Sequence, residues 1–353
     1  MVSRVLHVVG TLDVGGIEKW VCNMINYEKS QANEVDFYIF SSDPIKKKIL
    51  SEFEIDTDKV FFSKGNGLIY RMISFISILF KIKPKAIHFH PGYSSGIYLL
   101  LTKILTKSIT IVHSHSDRRN IDNSVNILRR VYIKLMKLII NNLSDHRIAV
   151  SNNAGLSLFG TGFEIHYCGV PLPSMSSNNN SFIVPGEPSY NIFHVGRFSK
   201  AKNYEFILSI AEKLIEDKNI RIYCLGEGLE YYASEAKNRG LTNIFFPGFV
   251  SDPCSVIIRH ANLFIMPSLW EGLPLSVVEA QKCHIPCIVS TNITNECDIG
   301  LVKFLPLELS NWIEEIKIEL YSDDKCNIIL NDKFTLENNL RFFKKIYRGQ
   351  KCY

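Results

Sequence analysis

Two glutamates eight residues apart are the first side chains of this chain whose type and spacing point to chemistry. Glu271 and Glu279 flank Gly272-Leu273-Pro274, directly after an apolar stretch at 262–267 that is typical of a buried strand. Proline is favoured at the start of a helix, and a helix rises about 1.5 Å per residue, so the carboxylates are too far apart to share a proton. They suit separate contacts to one extended ligand, with a helix N-terminus between them that attracts phosphate. A capped surface helix with two solvated glutamates is the alternative interpretation.

A basic pair follows another predicted strand, at 191–195. Arg197 comes after Gly196, and Lys202 stands five residues later, where a helix is expected to begin. An arginine fork and a lysine point charge at such a turn are able to neutralise two phosphates. Two solvated bases near a helix start are the alternative interpretation.

A glycine pair follows the first predicted strand, at 5–9. Gly15 and Gly16 precede a helical pattern that begins at residue 17. Glycine allows a close approach of the backbone, and the helix N-terminus adds positive potential that suits a diphosphate. The full G-x-G-x-x-G pattern is absent, which disfavours a nicotinamide cofactor. Taken alone, the pair is equally typical of an ordinary turn.

Four histidines stand at the ends of two further strands in the first half of the chain. They are His88, His90, His113 and His115. Isolated histidines on apolar strands are usually core residues, but four at the carboxyl ends of strands are expected near a ligand site. A metal centre is one interpretation. Because no carboxylate or cysteine pattern accompanies them, we predict that they bind no metal.

Composition places the chain among soluble globular proteins. Its 353 residues suffice for two domains, and 46% are hydrophobic while 21% are charged. The nine cysteines lack paired spacing, which indicates reduced thiols in a cytoplasmic protein. No targeting segment is visible, and the longest apolar stretch, 68–80, contains Arg71 and is too short to cross a bilayer.

The net charge of +5 is concentrated in the first half, where basic residues far outnumber acidic ones between 59 and 147. A field of that sign attracts phosphates, on nucleic acid, on anionic lipid or on a lipid-linked diphosphate. Segments 68–85 and 128–140 also combine basic and apolar positions at helical spacing. They indicate either ordinary core helices or a peripheral contact with an anionic membrane.

Strands alternate with helices along both halves of the chain, which predicts an α/β fold of two Rossmann-like, doubly wound domains. The polar stretch 174–181 indicates a linker between them. We therefore expect an N-terminal domain at 1–172, a linker at 173–190 and a second domain at 191–333. The ligand is expected in a cleft between the two domains, at the carboxyl ends of their strands. An amphipathic helix closes the chain, within 334–353.

The stretch Pro267-Ser-Leu-Trp-Glu-Gly-Leu-Pro-Leu-Ser-Val-Val-Glu-Ala280 resembles the signature of glycosyltransferase family 4. This is a large retaining, nucleotide-sugar-dependent family with the two-domain GT-B fold. The string Val195-Gly-Arg-Phe-Ser-Lys-Ala-Lys-Asn203 resembles the diphosphate-binding segment of that family. The similar motifs follow the family's order over nearly the whole chain. The resemblance implies a GT-B fold whose C-terminal helix crosses back to the first domain.

The resemblance also implies roles for individual residues. Glu271 would face the donor sugar and Glu279 would hold the ribose, while Arg197 and Lys202 would neutralise the leaving nucleoside diphosphate. Around the nucleotide-sugar it places Gly15, Gly16, Gly226, Phe249, Val250, Gly272 and Leu273. In the segment Val112-His-Ser-His-Ser-Asp117 a histidine would lie against the sugar and the acceptor. We favour His115 for that place, keep His113 as the alternative, and assign His90 to the acceptor side.

The function so implied is transfer of a sugar from a UDP- or GDP-sugar to an acceptor hydroxyl, without metal or other cofactor. The basic first domain favours a lipid-linked saccharide of surface-polysaccharide biosynthesis as acceptor, at the cytoplasmic face of a membrane. A soluble sugar or sugar-phosphate is the alternative acceptor. A nucleotide-sugar epimerase is a further alternative. A nucleic-acid-binding protein and an inactive binding module are disfavoured, because neither gives the charged residues of the motifs a purpose.

Overall fold

The computed structural model describes residues 3–12, 15–31, 34–43, 55–65, 67–122, 124–171, 190–321 and 332–350. The chain divides into two units, each with its own parallel sheet. Unit 1 comprises Met1–Pro171 together with Asp332–Tyr353, and unit 2 comprises Leu172–Asn331. Most of the expected linker lies outside the described residues, and Tyr190, its last residue, already begins a strand.

Seven parallel strands form the sheet of unit 1, in the order β3-β2-β1-β4-β5-β6-β7. The strands are β1 (Ser3–Val9), β2 (Val35–Ser41), β3 (Val60–Phe62), β4 (Ala86–Phe89), β5 (Ile109–Ser114), β6 (His146–Ala149) and β7 (Glu164–Ile165). Strand β4 is buried throughout, as expected where helices cover both faces of a parallel sheet. The strand order reverses between β1 and β4, and this is the point at which such sheets bind ligands.

The helices of unit 1 connect these strands. They are α1 (Gly16–Ser30), α2 (Leu68–Ile82), α3 (Ser95–Leu105), the single turn α4 (Arg119–Asp122), α5 (Ile127–Leu143) and α6 (Asn152–Leu158). The apolar spacing of the sequence predicts a helix at about 124–143, but α5 begins at Ile127, because the side chain of Asn126 accepts a hydrogen bond from the Arg129 amide and caps the helix. The same kind of pattern predicts a helix at about 44–53, a stretch that lies outside the described residues.

The C-terminal helix α12 (Leu336–Tyr347) packs against α1 within unit 1. Its fully buried Asn339 joins three parts of the unit. The Asn339 carboxamide oxygen accepts hydrogen bonds from Trp20 Nε1, at 2.7 Å, and from the Gly169 amide. Its amide nitrogen donates to the Tyr167 carbonyl at 2.7 Å. Lys344 adds an ion pair to the buried Glu28 on α1, at 2.7 Å.

Six parallel strands form the sheet of unit 2, in the order β10-β9-β8-β11-β12-β13. The strands are β8 (Tyr190–Val195), β9 (Ile220–Leu225), β10 (Ile244–Gly248), β11 (Leu263–Met266), β12 (Cys287–Ser290) and β13 (Val302–Leu305). The helices are α7 (Tyr204–Lys213), α8 (Glu230–Asn238), α9 (Pro253–His260), α10 (Leu275–Lys282) and α11 (Leu309–Tyr321). Here the strand order reverses between β8 and β11.

The predicted α/β fold with two doubly wound sheets is therefore confirmed. Strands β7 and β13, which the sequence analysis missed, lie at sheet edges: β7 has only two residues, and in the four-residue β13 Lys303 interrupts the apolar run. It also placed Pro274 in the first turn of a helix, whereas α10 begins one residue later, at Leu275. Among the described residues, no helix combines the length and the apolarity needed to span a membrane.

Replacing Asn339 with alanine is expected to lower the free energy of unfolding of unit 1 by about 2–4 kcal/mol, because the buried Trp20 and Gly169 donors lose their acceptor. Urea unfolding followed by circular dichroism and tryptophan fluorescence measures the loss. Asn338→Ala is the matched control, at the preceding and half-exposed position of the same helix, and it should change the free energy of unfolding by less than about 0.5 kcal/mol. Equal effects of the two substitutions would contradict the role of Asn339.

Candidate functional site

The charged motif residues of unit 2 stand where its strand order reverses. Gly196 and Arg197 follow β8, and the loop with Ser268 and Glu271 follows the neighbouring β11. Strands β8 and β11 pair in parallel, so both loops leave the same edge of the sheet. The two motifs that the sequence separates by some seventy residues are thus brought side by side.

Hydrogen bonds hold these two loops together. The Asn203 side chain donates to the Pro267 carbonyl at 3.1 Å, and the Leu269 amide donates to the Ala201 carbonyl at 2.7 Å. Asn203 has φ 54°, in the left-handed region that asparagine tolerates better than most residues. This turn ends the short helix Lys200–Lys202 and directs the chain into α7.

Lys202 and Glu271 form the central ion pair of this edge. Lys202 Nζ lies 2.9 Å from Glu271 Oε1, and both side chains are largely buried, at 16% and 17% exposure. The same carboxylate oxygen accepts a hydrogen bond from Ser268 Oγ at 2.9 Å. An ammonium and a carboxylate held in this way are oriented before any ligand arrives.

Two neighbours of the ion pair differ sharply in environment. Arg197 is exposed, and it forms no ion pair with any residue that the structure describes. His194 is fully buried beneath Lys202 and donates from Nδ1 to the Ile265 carbonyl at 2.9 Å. Burial, together with the charge of Lys202, lowers the pKa of His194 to about 3, so its ring is neutral. The edge therefore presents the positive charges of Arg197 and Lys202 without a third from His194.

A glycine contact brings a third loop to the same edge. A Cβ atom on Gly226 would lie 1.9 Å from the Gly196 carbonyl oxygen, so the loop after β9 touches the loop after β8 backbone to backbone. The Gly226 amide also donates to the Gly248 carbonyl at 2.9 Å, at the end of β10. Phe249 and Val250, predicted near the base, follow directly and are half-buried.

The remaining motif residues of unit 2 surround the start of α10. Gly272 and Leu273 are buried just before this helix. Glu279 lies within it and is half-buried, whereas Glu271 precedes the helix and belongs to the loop. The two glutamates thus occupy different elements, as separate contacts to one ligand require.

In unit 1, the glycine pair occupies the start of α1. Gly15 is the N-cap residue, and Gly16 is the first residue of the helix. The Gly15 carbonyl accepts a hydrogen bond from the Lys19 amide at 2.9 Å. The loop follows β1, which borders the reversal of strand order in this sheet.

The four predicted histidines come together at the same place, with a fifth that the sequence analysis missed. His7 lies on β1 and pairs in register with His88 on β4. His7 Nδ1 lies 3.0 Å from His90 Nε2, and His90 Nδ1 lies 2.9 Å from His115 Nε2. The sequence places His7 on β1 and His88 on β4, but it does not show that these two strands are neighbours. Knowledge of the strand order would have added His7 to the predicted group.

A second chain of rings lies beside the first. His88 Nε2 is 3.2 Å from His113 Nδ1, and His88 Nδ1 is 2.9 Å from the Tyr347 hydroxyl on α12. Burial lowers the pKa of His115 to about 3 and that of His113 well below its usual value, so the rings are neutral. His113 is fully buried, whereas His115 is half-buried. Of the two, His115 therefore offers more surface to a ligand.

Known proteins resemble this chain in sequence and in fold. A family model described as "Glycosyl transferases group 1" matches residues 178–299. The putative glycosyltransferase EpsF of Bacillus subtilis (strain 168) is 27% identical over 89% of this chain and 87% of its own. The capsular polysaccharide biosynthesis glycosyltransferase CapH of Staphylococcus aureus is 27% identical over 98% of this chain and 99% of its own. The crystal structure of HepE from Anabaena, in complex with UDP and glucose, superposes with a TM-score of 0.75 at 14% identity, covering 98% of this chain and 100% of that chain.

The fold is that of the GT-B glycosyltransferases. The chain is a glycosyltransferase, an enzyme of the hexosyl- and glycosyltransferase class, EC 2.4. It is similar over nearly its whole length to a protein of capsular polysaccharide biosynthesis. The narrower resemblance to glycosyltransferase family 4 stays a prediction.

Replacing Gly226 with alanine is expected to destabilise unit 2 by about 2 kcal/mol or more, because the new methyl group would overlap the Gly196 carbonyl. A lower temperature of thermal unfolding would show this. Gly10→Ala is the control, since a Cβ atom there meets nothing within 4 Å. An unchanged unfolding temperature for Gly226→Ala would mean that the loops do not touch in solution.

Proposed function

We propose that this enzyme transfers a sugar from a UDP- or GDP-sugar to an acceptor hydroxyl with retention of configuration at the anomeric carbon. The observation that carries the proposal is the arrangement of Arg197, Lys202 and Glu271 at the strand reversal of unit 2. Two cations and a carboxylate on adjoining loops suit the diphosphate and the sugar of one donor molecule. Relatives that are named as glycosyltransferases support the transfer of a sugar.

In this proposal Arg197 and Lys202 neutralise the leaving nucleoside diphosphate. Arg197 offers an exposed fork of donors, and Lys202 is already oriented by Glu271 at 2.9 Å. As the bond to the sugar breaks, negative charge grows on the phosphate oxygens, and preoriented cations stabilise that charge without reorganising. The transfer step accordingly requires no metal ion. To Gly15 and Gly16, at the N-terminus of α1 in unit 1, we assign a backbone contact with the diphosphate.

The other donor contacts are assigned from the resemblance of the motifs. Glu271, whose Oε1 is held by Ser268 and Lys202, faces the hydroxyl groups of the sugar. Glu279 on α10 binds the ribose. The base is assigned to the backbone near Phe249 and Val250, beside Gly226, and the diphosphate also contacts Gly272 and Leu273.

Retention is assigned to departure and attack on the same face of the sugar. The bond between the anomeric carbon and the phosphate oxygen breaks, and the acceptor oxygen forms a bond to that carbon. The acceptor proton passes to the leaving phosphate. The proposed mechanism has no covalent intermediate, and no side chain is assigned the role of nucleophile. The neutral ring of His115 is assigned to hydrogen bonding with the sugar or the acceptor, with His90 and His113 behind it.

We assign a lipid-linked saccharide as the acceptor, because helix α5 of unit 1 carries a second, exposed apolar stripe in addition to its buried one. Ile133, Met136 and Ile140 form a buried stripe. A second stripe is exposed and consists of Leu128, Val131, Leu135 and Leu138. At about 100° per residue, the two stripes lie on roughly opposite sides of the helix. Only the buried stripe is required to pack the helix against the core of a globular protein.

Positive charge borders the exposed stripe. Arg130, Lys134 and Lys137 project between the two apolar faces of α5. Helix α3 contacts both α5 and α2, and it adds the exposed Ile104, while α2 adds the exposed Ile69 and Ile73. Apolar residues flanked by bases suit the boundary of an anionic membrane, where a lipid-linked acceptor is found. A soluble sugar or sugar-phosphate acceptor would leave this surface without a purpose.

Arg197→Ala and Lys202→Ala are each expected to lower kcat/KM at least 100-fold, which corresponds to about 3 kcal/mol of lost transition-state stabilisation. The assay uses the UDP- or GDP-sugar that most raises the unfolding temperature of the wild-type enzyme in a thermal-shift screen. Lys200→Ala, an exposed lysine of the same loop, is the control and should stay within about twofold. Near-normal turnover by Arg197→Ala contradicts the assignment, and conversion of the donor without any acceptor would favour an epimerase.

Leu135→Asp is expected to weaken binding to vesicles that contain anionic lipid at least tenfold, because an inserted leucine contributes about 1.5–3 kcal/mol. Sedimentation with vesicles of anionic and zwitterionic lipid measures the binding. Ile318→Asp is the matched control, since Ile318 in unit 2 is 49% exposed and Leu135 is 50% exposed. Equal vesicle binding by both variants would point to a soluble acceptor.

A further inference from the structure

Three histidines of unit 1 bring ring nitrogens together in a way that the proposed transfer reaction does not require. One nitrogen from each of His90, His113 and His115 lies within 4.8 Å of the others. His90 Nδ1 and His115 Nε2 are 2.9 Å apart. The rings of His113 and His115 have centroids 4.1 Å apart. All three belong to the carboxyl ends of the adjacent strands β4 and β5, which fix their positions.

The second nitrogen of each ring already has a partner. His90 Nε2 is 3.0 Å from His7 Nδ1, and His113 Nδ1 is 3.2 Å from His88 Nε2. His115 Nδ1 is 4.0 Å from the thiol of Cys168. Histidines that bind metals use one nitrogen for the ion and hydrogen-bond through the other, which fixes both the tautomer and the ring orientation. Each of the three rings meets that requirement.

One ring nitrogen of the group, His113 Nε2, is buried and has no hydrogen-bond partner among the described residues. An unpaired buried polar atom lowers the stability of a fold, and a ligand that binds to this nitrogen would remove that penalty. Imidazole binds a metal ion in its neutral form, through the lone pair of one ring nitrogen.

The sequence predicts no metal at these histidines, because no carboxylate or cysteine pattern accompanies them, but zinc also accepts three imidazole nitrogens as its protein ligands. From the convergence of the rings we propose that His90 Nδ1, His113 Nε2 and His115 Nε2 bind one transition-metal ion of the zinc class. Zinc binds imidazole nitrogen at about 2.0–2.1 Å, so two tetrahedral ligand atoms lie about 3.3 Å apart. The pair now at 2.9 Å needs to open by only a few tenths of an ångström. Three protein ligands leave a fourth position for a water molecule or an anion.

Access favours this trio over the other close group of histidines. His7, His88 and His90 also bring nitrogens within 4.8 Å of one another, but all three are buried. His115 is only half-buried, so the trio that includes it is the one in contact with solvent. In the proposed site His7 and His88 act instead as the hydrogen-bond partners that orient His90 and His113.

The site has one consequence for the reaction, and this consequence rests on the proposed function. A metal ion on His115 Nε2 removes that nitrogen from contact with sugar or acceptor. Occupancy by zinc should therefore inhibit the transfer, and removal of the ion by a chelator should restore it. Metal binding itself is measured without donor or acceptor, so it stands or falls independently of the proposed function.

The test is titration of the chelator-treated full-length protein with Zn²⁺ by calorimetry, and with Co²⁺ by visible absorption. We expect one ion per chain and a tetrahedral Co²⁺ spectrum without a thiolate band, because Cys168 is a hydrogen-bond partner and not a ligand. His115→Gln should weaken binding at least 100-fold, while its circular dichroism and unfolding temperature confirm that it folds. His146→Gln, a half-buried histidine of unit 1 outside the group, should bind as the wild type does.

Two results would overturn the proposal. One is the absence of binding by the wild-type protein at a tenfold molar excess of Zn²⁺. The other is binding that His115→Gln leaves unchanged, which would place the ion elsewhere. In the first case the five rings would form a hydrogen-bonded, metal-free core.

Discussion

The parallel alignment of the strands is the constraint on which the rest of this structure depends. In a parallel sheet all carboxyl ends lie along one edge, so loops that are distant in sequence become neighbours. In unit 2 this brings Arg197 and Lys202 beside Glu271. In unit 1 it brings His7 beside His88 and His90. Helices cover both faces of each sheet, which leaves this edge as the place where polar groups can collect.

The unit 2 edge works because its loops approach more closely than side chains would allow. Gly226 lets the loops after β8 and β9 meet backbone to backbone. The left-handed turn at Asn203 then places Lys202 against Glu271. The resulting ion pair holds a cation in place within a mostly buried setting, where its charge is less screened than at an open surface. Backbone geometry thus prepares the electrostatics that a leaving diphosphate needs.

At the carboxyl ends of the strands of unit 1, the polar groups are histidines. Its histidines are neutral, stacked and linked ring to ring, and α12 closes over them through Tyr347. The same helix is tied to the unit by Asn339, so the packing of the C-terminal helix and the order of the histidines depend on each other. A neutral group of imidazoles can hydrogen-bond a sugar or bind a metal ion, and the half-buried His115 is where either ligand would arrive.

The sequence by itself determined the fold class, most of the strands and the motif residues of unit 2, because these rest on local patterns. Apolar runs of strand length, glycines after strands and bases at turns are readable along the chain. The sequence did not reveal the edge strands β7 and β13, because two and four residues are too few to show a strand pattern. Only the tertiary structure decided the pairing of Lys202 with Glu271, the fully buried state of His113 and the participation of His7. These depend on which strands become neighbours, and strand order is set by long-range packing that no local pattern records.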